Sequence, residues 1–165
     1  MSPLLPVVWT TLGIVILVAA IRANRHPGAL RTGRIAVATL YLAAGAAVNA
    51  ALLLVGEDYH AFADEAYLPF VRDTWRTLVV PNHVLFISVL IVYEAAVGLL
   101  VLCGGRRAEL GLLGAIGFHL ALLSFGWGIY LWCVPMLVAL SLLLRAQHRS
   151  VNRGQRPSPT LTAPT

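Results

Sequence analysis

The sequence predicts an all-α fold, a polytopic transmembrane helical bundle, and three observations carry that prediction. Hydrophobic residues make up 59% of the 165 and charged residues 12%, against about 25% charged in an ordinary soluble domain. The apolar residues fall in runs long enough to cross a hydrocarbon core of about 30 Å at about 1.5 Å per helical residue. The twelve basic residues are all arginine, and they gather between and after those runs.

The first run, Leu4 to Ile21, has 18 residues and no charge. The second, Ile35 to Val55, has Asn49 as its strongly polar member, and the third, Val84 to Cys103, contains Glu94. The fourth, Leu110 to Leu144, has 35 residues. One straight helix of that length would span roughly 52 Å, so two helices, 110–125 and 130–144, fit better, with the break at Gly126-Trp127-Gly128. The alternative is four spans, the last a long helix kinked at Pro135.

Charge placement favours five spans. Arg22, Arg25, Arg31 and Arg34 follow the first run, Arg106 and Arg107 follow the third, and Arg145, Arg149, Arg153 and Arg156 follow the last. With the N-terminus outside and the C-terminus cytoplasmic, ten of the twelve arginines lie inside, as the positive-inside rule requires. The expected location is a plasma membrane of the bacterial inner-membrane type, crossed several times. In this setting a net charge of +5 marks the cytoplasmic face, and no nucleic-acid partner is implied. The absence of positive charge before the first run predicts an uncleaved anchor.

The segment 57–82 carries five acids and the aromatics Tyr59, Phe62, Tyr67, Phe70 and Trp75. That mixture predicts one or two short helices on the outer membrane surface, broken near Pro69, serving as an interfacial anchor, a cap or the rim of a site. The polar stretch 146–165 reads as a disordered, basic cytoplasmic tail. Alanine and glycine crowd the second span, and Gly111, Gly114, Ala115 and Gly117 line the fourth. Small residues let backbones approach closely in lipid, so both spans are expected at the centre of the bundle or at a subunit contact.

The candidate site rests on polar groups inside the membrane. A mid-bilayer carboxylate costs several kcal/mol unless paired, protonated or wetted, which singles out Glu94. Glu94 and His119 both lie about 15 Å above the inner boundary on adjacent antiparallel spans, so they are expected to pair. His83 precedes Glu94 by eleven residues on the same helix face, and Asn49 joins from the second span or serves as helix glue. Glu94, His119, His83 and Asn49 are therefore the candidate ligand-binding or proton-relay residues. The competing reading is a structural hydrogen bond between Glu94 and His119. His60, Asp64 and His83 form too loose a set to predict a metal site, and Cys103 and Cys133 lie at depths that preclude their pairing.

The stretch from Tyr93-Glu94-Ala95-Ala96-Val97-Gly98-Leu99-Leu100 through Cys103-Gly104-Gly105 to Arg106-Arg107 resembles the DoxX-like families of small membrane proteins. The resemblance implies a helical membrane protein of about four spans, with some members linked to quinone-dependent oxidation of sulfur compounds. A fifth span is extra to that pattern. The expected function is an accessory subunit or a binder of a lipophilic molecule, quinone or lipid, in a cleft around Glu94 and His119. The alternatives are a membrane enzyme using that pair as acid and base, or a small proton-coupled transporter. The expected partners are the lipid bilayer and a larger membrane complex or a second copy of the chain.

Overall fold

The computed structural model describes residues 4–154, all of it helix and turn. Six helices follow one another: α1 Leu4–Arg22, α2 Pro27–Leu54, α3 His60–Glu65, α4 Pro69–Cys103, α5 Gly105–Leu122 and α6 Trp127–Gly154. Three of them, α2, α4 and all but the ends of α6, are long and apolar enough to cross a membrane. Large apolar side chains stay exposed along them, among them Val84, Leu85, Val89 and Val92 on α4 and Leu131, Val134 and Val138 on α6. A soluble monomer rarely exposes apolar surface on that scale.

Helix boundaries follow local chemistry. Pro27 opens α2 at a first-turn position, where its missing N–H costs nothing. α4 ends at Gly104, whose φ of 76° few other residues tolerate. The run 110–144 is broken at residues 123–126, where Gly126 has φ 140°. This excludes the single long helix: Gln147 Nε2, near the end of α6, donates to the Gly105 carbonyl at the start of α5 (3.1 Å), so α5 and α6 run antiparallel. Pro135 lies inside α6 without interrupting it.

Several boundaries differ from expectation. α2 begins eight residues before the apolar run, carrying Arg31 and Arg34 on its first turns. The segment 57–82 does form two helical pieces with the break before Pro69, but the second runs on into the apolar part of α4. It does so through a π-helical turn, Trp75–Val79, and a 3-10 turn, Val80–Asn82. Pro81 explains the irregularity, because its ring excludes the regular i−4 hydrogen bond. α5 stops at Leu122, leaving an apolar stretch of roughly 20 Å beyond its charged first turn. Residues 146–154 are helical, correcting the reading of a tail disordered from 146; the remaining residues of that tail lie outside the described ones. The reading failed because polar residues continue a helix readily once it packs: Ala146 and Gln147 are buried at the end of α6.

α2 is the central helix, as its alanines predict. It packs on α1, α4 and α6, and its Tyr41 reaches α5. The core gathers Ile16 and Ala20 of α1, Val37 and Tyr41 of α2, Val97 and Val101 of α4, Leu112 and Ala115 of α5, and Leu140 and Leu143 of α6. Close approach depends on absent side chains: a Cβ on Gly33 would lie 2.6 Å from Leu143, and one on Gly98 would lie 2.6 Å from Leu42. Contacts between Asn24 and Arg149, Arg34 and Leu102, and Gln147 and Gly105 place the α1–α2 turn, the α4–α5 turn and the end of α6 at one end of the bundle. That end holds every described arginine except Arg72 and Arg76.

Candidate functional site

Glu94 is 5% exposed and turns toward α2, where Asn49 Nδ2 donates to its Oε2 at 2.9 Å. The carboxyl lies against bare backbone: a Cβ built on Gly45 would come within 2.7 Å of Oε1 and 2.8 Å of Cδ. Gly45 belongs to a π-helical stretch, Leu40–Ala47. Such wide turns are rare and concentrate at functional sites. In the same stretch the Ala44 carbonyl accepts from Trp9 Nε1 of α1 (3.2 Å). The π stretch therefore meets two polar side chains from neighbouring helices, one acidic and one donating.

The polar chain continues outward. The Tyr59 hydroxyl donates to the Asn49 carbonyl at 3.1 Å and lies 3.4 Å from its Oδ1. Tyr59 is 2% exposed and adopts φ 60°, the sole positive φ of a non-glycine residue among the described ones. That conformation costs on the order of 1–3 kcal/mol unless the surroundings hold it. Here Trp75 Nε1 donates to the Tyr59 carbonyl (3.0 Å) and Phe62 stacks on its ring. Burial, reinforced by Glu57 and Glu94, raises the Tyr59 phenol above its ordinary pKa, so the hydroxyl remains a donor at neutral pH.

An aromatic cap covers this arrangement. Phe62 packs on Trp75, Trp75 meets Phe125 edge-on at 5.1 Å, and the Tyr67 amide donates to the Phe125 carbonyl (3.1 Å). Arg76 of α4 hydrogen-bonds Asp64 of α3 and ties the two pieces together. That bond, chiefly, holds the Asp64 carboxyl below its ordinary pKa of 3.8, with the His60 and Arg72 charges adding. The tie is therefore complete at neutral pH and is lost as pH falls through that depressed value. Protection of the His60–Glu65 amides, taken as exchange relative to an unstructured chain at the same pH, is expected to hold down to about pH 4 and to fall below it. Asp64→Asn should lower it at neutral pH; unchanged protection in that variant would show that the tie does not order α3.

The expected pair of Glu94 and His119 is not formed. His119 is buried, but its Nδ1 lies 2.9 Å from the Ala115 carbonyl and 3.3 Å from the Tyr41 hydroxyl, which itself donates to Ala115 at 3.2 Å. Phe118 packs against both rings. The pairing fails because the two side chains take different partners on α2, Glu94 at Asn49 and His119 at Tyr41, eight residues or about 12 Å apart along that helix. His83 stays local, its Nδ1 3.0 Å from the Val80 carbonyl. His60 lies 3.6 Å from Asp64, and no group of three potential metal ligands occurs among the described residues. Cys103 and Cys133 are both free thiols.

The structure thus brings together Asn49 and Glu94 of the predicted residues and adds Tyr59 and Gly45 to them, while His119 is held apart with Tyr41. Gly45 was legible as a small residue in an alanine-rich span, whereas nothing in the sequence distinguished Tyr59 from the other aromatics of its segment. No protein-family model, curated protein or solved structure matches the chain. The fold and site define its class: the described residues form a helical bundle with membrane-length apolar helices and a carboxyl–amide pair between α4 and the central α2.

Proposed function

We propose that the chain is a five-span, DoxX-like plasma-membrane protein, with its arginine-rich end cytoplasmic. It acts as a binder of a lipophilic molecule with a polar head, quinone or lipid, or as the accessory subunit that holds such a molecule for a larger complex. The observation that carries this reading is the Asn49–Glu94 hydrogen bond set against the Gly45 backbone. A carboxyl and an amide are expensive to place between apolar helices, and Asn49 is only half-buried. Asn49 gives Glu94 one of its two amide hydrogens, so the other remains for a carbonyl-type head. Tyr59 and the aromatic cap close the same seam from outside. The separate partners of Glu94 and His119 remove the acid–base dyad on which an enzyme reading would rest.

Mass spectrometry of the protein extracted in mild detergent tests the proposal. A quinone or lipid is expected to co-purify and to be depleted in Asn49→Leu. Retention unchanged in that variant, or no bound molecule in either protein, would overturn it. The topology is checked separately by reporter fusions: cytoplasmic after Arg145, external when inserted near Glu65.

A further inference from the structure

We propose a second binding site, for the headgroup of an anionic glycerophospholipid bearing a hydroxyl, in the cleft at the arginine-rich end of the bundle. The cleft has a volume of about 730 Å³ and lies between the start of α2, the α4–α5 turn and the end of α6. That volume falls within the range of roughly 300–1,000 Å³ usual for small-molecule sites. Its polar lining comes from Arg31, Arg34, Gln147 and Ser150, its apolar lining includes Leu30 and Leu102, and no acid contributes.

Two independent features call for a ligand. The first is uncompensated positive charge. Arg34 is anchored, its Nε donating to the Val101 carbonyl (3.0 Å) and its Nη2 to the Leu102 carbonyl (2.8 Å). Arg31 has no hydrogen-bond or ion-pair partner among the described residues, and the two guanidinium charges repel each other. An anion between them relieves that repulsion, and a phosphate matches the guanidinium geometry. The second is an orphaned acceptor. Gln147 is 3% exposed, and its Oε1 is a buried polar side-chain atom without a hydrogen-bond partner. Its Nε2 donates to the Gly105 carbonyl at 3.1 Å, which fixes the amide orientation and leaves Oε1 as the acceptor. Leaving such an atom unpaired is costly, so the site asks for a donor as well as an anion.

A phosphate ester with a free hydroxyl on its head, as in phosphatidylglycerol, supplies both. The phosphate goes to Arg31 and Arg34, the hydroxyl to Gln147 Oε1. The cleft lies where α2, α4 and α6 reach the membrane surface, and basic pockets between helices at that level select anionic lipids. Leu30 and Leu102 then meet the upper acyl chain. This site is remote from Glu94 and does not depend on its function.

The test uses the full chain in nanodiscs of phosphatidylcholine carrying about one-fifth phosphatidylglycerol or, separately, one-fifth phosphatidylmethanol, with native mass spectrometry of the released protein. Phosphatidylglycerol is expected to be retained above its share of the bilayer and above phosphatidylmethanol, a diester of equal charge that lacks the donor. Arg31→Gln, at an exposed side chain, should lower retention of both anionic lipids about tenfold. Gln147→Leu should abolish the preference between them while keeping both above phosphatidylcholine. Retention in proportion to bilayer composition, or retention unaffected by Arg31→Gln, would overturn the proposal. Displacement of the lipid by excess inorganic phosphate would assign the cleft to a soluble anion and overturn it equally.

Discussion

Gly111→Val is expected to destabilise the bundle by about 1–3 kcal/mol, the usual range for an overpacked contact. A Cβ at Gly111 would lie 2.8 Å from the Val101 backbone nitrogen, 2.7 Å from Val101 Cγ2 and 3.0 Å from Leu100 Cβ. A side-chain tip swings away from such a clash; a backbone nitrogen in the last turn of α4, held within the helix, does not. Relief requires α4 and α5 to separate, and that separation also stretches the bond from the Tyr93 hydroxyl to the Gly114 carbonyl, 2.7 Å long. Without a hydrophobic effect to draw helices together in lipid, close packing and such interhelical bonds are what hold the contact. The control is Gly117→Val on the same helix, where an added Cβ meets nothing within 4 Å. Thermal denaturation in detergent should show a fall of several degrees for the first and little change for the second. Equal midpoints would mean that α4 and α5 do not approach as closely as described.

The second large effect lies at the buried carboxyl. Asn49→Leu removes the donor to Glu94 Oε2 and leaves that oxygen facing apolar helices, a cost of about 1–3 kcal/mol. Glu94→Leu leaves the Asn49 amide unpaired at a half-buried position and should cost less. The double variant should recover part of the loss, giving a coupling of roughly 0.5–3 kcal/mol. A parallel cycle between Glu94 and His119 distinguishes the observed arrangement from a direct pair. Because His119 is held by Tyr41 and Ala115, its removal should combine with Glu94→Leu almost additively. A coupling as large as that of Asn49 and Glu94 would restore the direct pair and contradict the geometry.

Much of this was legible in the sequence because the bilayer imposes a simple rule. Backbone polar groups must be satisfied within each apolar run, so runs of 18 or more residues become helices whatever packs beside them. The gathering of arginines is likewise a linear property, and folding brings nine of them to one end of the bundle. Alanine-rich composition marked α2 as central, because side-chain size sets how close backbones come. Glu94 and Asn49 stood out as polar residues in apolar runs.

The partners were decided by tertiary structure alone. Depth along a helix follows from counting residues, but the direction in which a side chain points depends on helix rotation, which neighbouring helices set. Counting placed Glu94 and His119 at one depth, but in the bundle Glu94 meets Asn49 and His119 meets Tyr41, at separate levels of α2. The π-helical stretch shifts the register of α2 at Gly45, a change that a periodicity of 3.6 does not foresee. The left-handed Tyr59 carries no signal of its own type, since its conformation is held by hydrogen bonds with Asn49 and Trp75 on the two flanking helices and by the ring of Phe62. Composition and run length dictate which segments are helical and which residues are costly to bury; which of those residues meet is settled in the packed bundle, because hydrogen-bond partners depend on rotations and register that no single segment encodes.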